Sequence, residues 1–229
     1  MASDGSSGVM LLGTWSSPFA VRARVALHLK SVTYEYVEEA DILNSKSELL
    51  LKYNPIHKKV PVLIHGDKPI CESLNIVQYI DEAWLSGPAL LPTDPHDRAM
   101  ARFWGQYIDT QCFAAINGVA VAKDEEGRKA AAANLDECLG KLEEAFEKCS
   151  KGRDFFGGDS MGFVDIAWGS ILGPLWVIER FSGVQFLRQD KTPGLVRCSE
   201  SFCAHDAVKP YMPTVEKLVE FAMKKFNLQ

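Results

Sequence analysis

Asn54-Pro-Ile-His-Lys-Lys-Val-Pro61-Val-Leu-Ile-His-Gly-Asp-Lys-Pro-Ile-Cys-Glu72-Ser73 is the stretch on which the reading of this chain turns. Two apolar runs, Val60 to Ile64 and Pro69 to Cys71, flank His65-Gly-Asp-Lys68, whose Gly66 can adopt φ > 0, so the pattern predicts a hairpin. Pro61 has no N–H to give a strand ladder and belongs at a strand start. Val60-Pro61 is a candidate cis bond, which would turn the Val60 amide and carbonyl outward. From Glu72-Ser73 onward, Leu74, Val77 and Ile80, with Ile76 and Tyr79 beside them, keep helical spacing. Strand, turn, strand and helix N-terminus together suit a peptide-like anion. The Val60 backbone can add an extended peptide as a strand, the free N–H groups of the helix start, with the Ser73 hydroxyl, can hold a carboxylate, and Lys46, Lys58 and Lys59 can balance further negative charge. The same residues also make an ordinary hairpin followed by a capped helix.

Upstream, Val9 to Leu12 reads as a strand ended by Gly13. Phe19, Val21, Val25, Ala26 and Leu29 then keep helical spacing, with Pro18 at the favoured first position and Ser17 as N-cap. That places a hydroxyl at the positive end of a helix, where it can also act as a cap alone. Tyr34 to Val37 alternates as a second strand, and Ser45 to Tyr53 reads as a short helix carrying Lys46. A βαβ unit followed by a hairpin and a helix predicts a small mixed four-stranded sheet with helices on both faces, over residues 9–84.

Residues 85–97 hold three prolines and read as a linker, and 98–229 as an all-helical domain. Its helical patterns are Phe103, Tyr107, Ile108 and Cys112; Leu135, Cys138, Leu139, Leu142 and Phe146; and Val215, Leu218, Val219, Ala222 and Phe226. Lys123 to Lys129 reads as a solvated break, and Val184 to His205 as a long irregular connection. Gly162 and Asp165 make an N-cap and N3 pair flanked by Met161 and Ile166, a folding signal more than a catalytic one.

The 229 residues, 47% hydrophobic and 24% charged with a net charge of -5, suit a globular protein, and no basic block points to nucleic acid or an anionic membrane surface. Residues 1–8 carry no signal-peptide pattern and read as a frayed tail; the expected location is cytoplasmic. The six cysteines show no metal spacing, so no metal is expected; Cys198 and Cys203, five apart in an apparently irregular stretch, are candidates to pair on oxidation.

Several motifs carry a resemblance. Leu11-Leu-Gly-x-Trp-x-Ser17-Pro-Phe, Asn54-Pro-x-His-Lys-Lys-Val-Pro61, Ile70-Cys-Glu72-Ser73, Ile76-Val-Gln-Tyr-Ile-Asp, Leu90-Leu-Pro-x-Asp-Pro, Phe103-Trp-x-x-Tyr-Ile-Asp and Gly162-x-Val-Asp165-Ile-Ala occur in one order from position 10 to about 170. In these the chain resembles the glutathione transferases, and among them the plant tau class.

The resemblance implies a thioredoxin-like N-terminal domain that binds glutathione, an all-α C-terminal domain that shapes the second substrate's site, and a homodimer. It implies Ser17 as the catalytic serine, Lys46, Lys59, Val60, Pro61, Glu72 and Ser73 as the glutathione set with Pro61 as its cis-proline, and Phe19, Phe113 and Asn117 facing a hydrophobic electrophile. Trp104 and Tyr107 are expected in the helical core.

A serine alcohol is no base at neutral pH, so Ser17 is expected to donate a hydrogen bond to the glutathione thiolate. The thiolate then attacks an electrophilic carbon or an organic hydroperoxide. Serine where thiol-transferring relatives have cysteine argues against disulfide exchange. Ser16, where the tau pattern has proline more often, and Pro174, where it often has an aromatic, are departures. The competing reading is a non-catalytic carrier of hydrophobic ligands.

Overall fold

In a computed structural model, residues 8–40 and 45–226 are described. The expected tail thus falls almost wholly outside the described residues. The chain divides into two compact units meeting at Leu90 and Leu91.

In the first unit the elements run β1 (Val9–Gly13), α1 (Pro18–Leu29), β2 (Glu35–Glu38), α2 (Glu48–Tyr53), β3 (Val62–His65), β4 (Lys68–Cys71) and α3 (Ser73–Ala83). The described strands form one sheet in the order β2-β1-β3-β4, with β1 and β2 parallel and the other pairs antiparallel. This is the thioredoxin-like arrangement expected. Period-two alternation divides the core: Leu12, Val62 and Ile64 pack with Leu50 of α2, while Leu11 and Leu63 point to the opposite face and are also fully buried. Two glycines are fixed by geometry. Gly66 turns the hairpin at φ 65°, and a Cβ on Gly13 would lie 2.9 Å from the Tyr36 ring, so β1 can approach β2 there only without a side chain.

The second unit is helical: α4 (Pro95–Tyr107), a π turn (Ile108–Cys112), α5 (Phe113–Val121), α6 (Glu125–Ser150), α7 (Phe163–Ser170), α8 (Leu172–Ser182), α9 (Pro193–Ala204) and α10 (Val215–Phe226). Caps explain most starts. Asp94 accepts from His96 and Asp97 N–H with Pro95 at N1, so the last three residues of the expected linker are already helical; Asp124 accepts from Gly127 N–H. The expected break at 123–129 therefore shrinks, since Glu125 to Lys129 lie in α6, their acidic first turn suiting a helix N-terminus.

At α7 the Asp165 carboxylate accepts from Gly162 N–H at 2.9 Å and from Phe156 N–H at 2.8 Å, with Met161 and Ile166 both buried. Trp104 and Tyr107 are half-buried and meet edge to face, and the Tyr107 hydroxyl donates to the Cys138 carbonyl. Phe103 is 53% exposed, outside the face its spacing suggested.

One expectation fails outright. Val184 to His205 is not irregular throughout, because α9 occupies Pro193–Ala204. Its buried face, Gly194, Leu195, Cys198, Ser199 and Phe202, has helical spacing but mixes small and polar residues, so a hydropathy pattern passes over it. Its N-terminus is capped from a distance: the buried Glu143 carboxylate of α6 accepts from Gly194 N–H at 2.7 Å and Leu195 N–H at 2.8 Å. The helix also removes the Cys198–Cys203 pairing. Five residues on a helix turn about 140° and rise about 7.5 Å, which a disulfide does not span. All six cysteines are free, and Cys198 is buried against Asp165.

Candidate active site

The strand register gathers the expected site residues of the first unit at one end of the sheet. Leu12 pairs with Val62, and Val62 with Cys71. The segment leaving β1 toward Ser17, the Val60-Pro61 approach to β3 and the Glu72-Ser73 exit from β4 therefore all emerge from the same edge of neighbouring strands.

Ser17 caps α1. Its Oγ accepts from Ala20 N–H at 3.3 Å, which leaves its own proton to donate. The loop before it is held from β2, whose Glu38 carboxylate accepts from the Thr14 hydroxyl and from Trp15 N–H, both at 3.0 Å. Ser16 and Ser17 are both half-exposed, but Ser17 alone stands at the N-cap.

Val60-Pro61 is cis, as expected, and β3 begins one residue later. Among the described residues nothing bonds the Val60 N–H or C=O. Asn54 shapes the loop in front: its side chain donates to the Lys59 carbonyl at 2.9 Å and accepts from His57 N–H at 3.1 Å.

Glu72 is the N-cap residue of α3 at φ 67°, and its side chain makes no capping bond, so the N–H groups of the first turn are not closed off by it. Its carboxylate lies 2.6 Å from His57 Nδ1. Ser73, at the first helical position, is buried, and its Oγ accepts from Arg22 Nη1 at 3.1 Å. Arg22 is fully buried on α1 with its guanidinium 5.0 Å from the Phe19 ring centroid, so one side chain ties the helix that Ser17 caps to the helix that Ser73 begins.

The sequence reading missed Arg22, His57 and Asn54. A charge amid Ala20, Val21, Ala23 and Val25, all buried, was the available signal for Arg22. The His57 contact lies 15 residues away and has no local signature.

Lys46 departs from expectation. Helix α2 begins at Glu48 with Ser47 as N-cap, so Lys46 precedes the helix and is exposed. Its neighbour Ser47 is anchored, because the Ser47 hydroxyl donates to the Glu39 carboxylate at 2.5 Å. Lys59 is exposed beside Val60.

In the second unit, Phe113 and Asn117 are four apart on α5, hence on one face; Phe113 is half-buried and Asn117 exposed. Pro174 sits in the first turn of α8, where no N–H is missed, and Trp176 is half-buried.

At the first-unit site, burial raises the Cys71 thiol, and the neighbouring Glu72 carboxylate adds to the rise. Burial pushes Asp165 up to about 6 against the pull of its backbone donors, and burial likewise raises the Cys198 and Cys112 thiols. No inward-facing metal set exists among the described residues: the one cluster of metal-capable side chains, Asp94, His96 and Asp97, is exposed and built around the α4 cap.

The glutathione S-transferase N-terminal domain matches residues 7–82, and the C-terminal domain of the same family matches 100–206. Glutathione S-transferase U13 of Arabidopsis thaliana is 65% identical over 96% of this chain and 97% of its own. Among solved structures, a tau-class glutathione S-transferase from mango superposes with a TM-score of 0.92 at 54% identity, covering 98% of this chain and all of that one. A rice enzyme, OsGSTU1, solved in complex with glutathione, superposes with a TM-score of 0.85 at 35% identity over 96% of this chain and 98% of its own. With both family domains matched in order and relatives this similar along nearly the whole length, the chain belongs to the glutathione S-transferase family, in its tau class.

Proposed function

We propose that this chain transfers hydrophobic electrophiles to the thiol of glutathione, with organic hydroperoxides as a second class of acceptor. The observation that carries the reading is the sheet edge itself. A hydroxyl with a proton to give at one helix start, an unpaired peptide group at Val60 and a second helix start without a side-chain cap leave the sheet at one end. Glutathione, a tripeptide with one thiol and two carboxylates, has a group for each.

In this reading the cysteinyl backbone of glutathione pairs with Val60 beside Pro61, as an added strand would. A carboxylate docks at the α3 N-terminus against Ser73, Glu72 takes the ammonium group, and Lys46 and Lys59 face the other carboxylate. Ser17 donates to the sulfur. A free thiol has a pKa of about 8.5, and lowering it by two units takes about 2.7 kcal/mol, which one charge-assisted hydrogen bond and the α1 dipole can supply together. The thiolate attacks the electrophile, its leaving group departs and the thioether is released. Phe19, Phe113 and Asn117 are the residues assigned to the electrophile, all three from the family resemblance.

Large apolar side chains stand exposed in each unit, Ile56 and Leu85 in the first and Met100 and Phe103 in the second. They support a homodimer. No helix among the described residues is long and apolar enough to cross a membrane. Six free thiols suit the reducing cytoplasm, where we place the protein.

The test is an ultraviolet titration of glutathione bound to the wild type and to Ser17→Ala, following thiolate absorbance. The bound thiol should ionise well below its free value in the wild type and return toward it in the variant. An unshifted thiol in both would leave glutathione merely docked and favour the carrier reading.

A further inference from the structure

Two consecutive carboxylates at the end of β2, Glu38 and Glu39, hold two different segments of the first-unit site. Glu38 stands opposite Gly13 in the parallel register, and Glu39 N–H donates to the Gly13 carbonyl at 2.7 Å, so the pair is fixed to the end of β1. Neighbouring residues of an extended chain point to opposite sides. Here the Glu38 side is exposed and the Glu39 side buried.

Glu38 reaches the segment before Ser17. One oxygen, Oε1, accepts from both the Thr14 hydroxyl and Trp15 N–H at 3.0 Å. Thr14 is buried, and its carbonyl accepts from Ser17 N–H at 3.0 Å, closing the turn that delivers Ser17 to the start of α1. Glu39 reaches the segment before α2. Its Oε1 accepts from the Ser47 hydroxyl and its Oε2 from Ser47 N–H at 3.3 Å. Ser47 directly follows Lys46 and caps α2 through Leu50 N–H. A group acts on a ligand only when the residues behind it hold it within about 0.5 Å of its productive place.

We propose that Glu38 and Glu39 are positioning residues with divided roles: Glu38 fixes the Ser17 hydroxyl against the glutathione sulfur, and Glu39 fixes Lys46 against a glutathione carboxylate. The proposal rests on the transferase reading. Each glutamate acts through the residue it holds, so the two losses differ. Misplacing Ser17 removes a bond to the thiolate, which shows in kcat. Misplacing Lys46 removes a bond made alike in ground and transition states, which shows in the KM for glutathione. Charge is not what Glu38 contributes, because a carboxylate beside a thiol disfavours the thiolate.

The test is steady-state conjugation of 1-chloro-2,4-dinitrobenzene together with the thiolate titration, on the wild type, Glu38→Ala, Glu38→Gln, Thr14→Val and Glu39→Ala. In Glu38→Ala the bound thiol should ionise about one pH unit higher, and kcat measured below that ionisation should fall about tenfold, with the KM for glutathione near the wild-type value. Glu38→Gln, whose carbonyl oxygen can still accept both bonds, should restore both readings. Thr14→Val removes one of the two donors at almost constant shape; it should lower kcat in the same direction, and it carries the test if Glu38→Ala does not fold. Glu39→Ala should raise the KM for glutathione about fivefold and leave kcat and the thiol unmoved, with Ser47→Ala in its place if circular dichroism shows it unfolded. Wild-type kinetics in the alanine variants, no recovery in Glu38→Gln, or kcat and KM moving together in either segment would overturn the proposal. An unshifted thiol in the wild type would overturn the transferase reading and this one with it; a shifted wild-type thiol that Glu38→Ala leaves in place would overturn this one alone.

Discussion

Because the Ser17 oxygen accepts from Ala20 N–H, its proton stays available to a ligand, and that is the part a thiolate needs. Ser17→Ala should lower kcat/KM for conjugation about 100-fold, the usual loss when one donor to developing negative charge is removed, with the KM for glutathione nearly unchanged; steady-state kinetics at fixed electrophile would check it, and full turnover would remove Ser17 from the mechanism. Glu72 works differently. It faces solvent and His57 and is assigned to ground-state binding, so Glu72→Ala should raise the KM for glutathione about tenfold and leave kcat in place. An unchanged KM would move the ammonium elsewhere. At this scale the sequence was most legible where a residue's conformational habit is its function: Ser17 before a proline, Pro61 before a strand, Gly66 in a hairpin. It was least legible where a side chain acts across the fold, as Arg22 does on Ser73 over 51 positions.

Helices α7 and α9 share one polar design, in which a buried carboxylate closes a helix start. Asp165 does so for α7 from within, Glu143 for α9 from a neighbouring helix. Asp165→Ala strands the Phe156 and Gly162 amides and should cost about 3 kcal/mol of stability, read as a lower urea midpoint at constant slope. Asp165 also makes stability depend on pH. Its carboxyl rises from 3.8 to about 6 on folding through burial. Between those values the folded chain holds a proton the unfolded chain has lost, so the contribution is full below about pH 4 and fades as pH rises through 6, by an amount on the order of 3 kcal/mol. The stability of wild type relative to Asp165→Asn should therefore be greater at pH 4.5 than at pH 7. A difference independent of pH would show that the proton is not taken up. Glu143 explains why α9 escaped the sequence reading: the cap lies 51 residues from the amide it holds, and the buried face relies on Gly194, Cys198 and Ser199 in place of a hydrophobic stripe.

For the whole molecule, the fold class was readable because strand-like runs and helical spacing are interleaved up to Ala83, while helical spacing alone follows Pro95. What could not be read was how far helix continues where its residues are small or its cap remote. The exposed apolar residues of both units carry a prediction at this scale. Sedimentation equilibrium at micromolar concentration should return twice the chain mass, and Ile56→Glu with Phe103→Glu should shift it toward one; a single-chain mass for the wild type would refute the dimer.

The π turn at Ile108–Cys112 has a consequence for how this chain can diversify. A π turn holds one residue more than the α-helix it interrupts, and α4, the turn and α5 form an unbroken helical run from Pro95 to Val121. Deleting a single residue there would restore the ordinary winding, and because the turn absorbs its extra residue locally, everything downstream would keep its face. Phe113 and Asn117 would stay on the face they now occupy, while the same deletion in the ordinary helix on either side would swing them by about 100°. The turn is thus the one place in this run where length can change without altering what α5 presents.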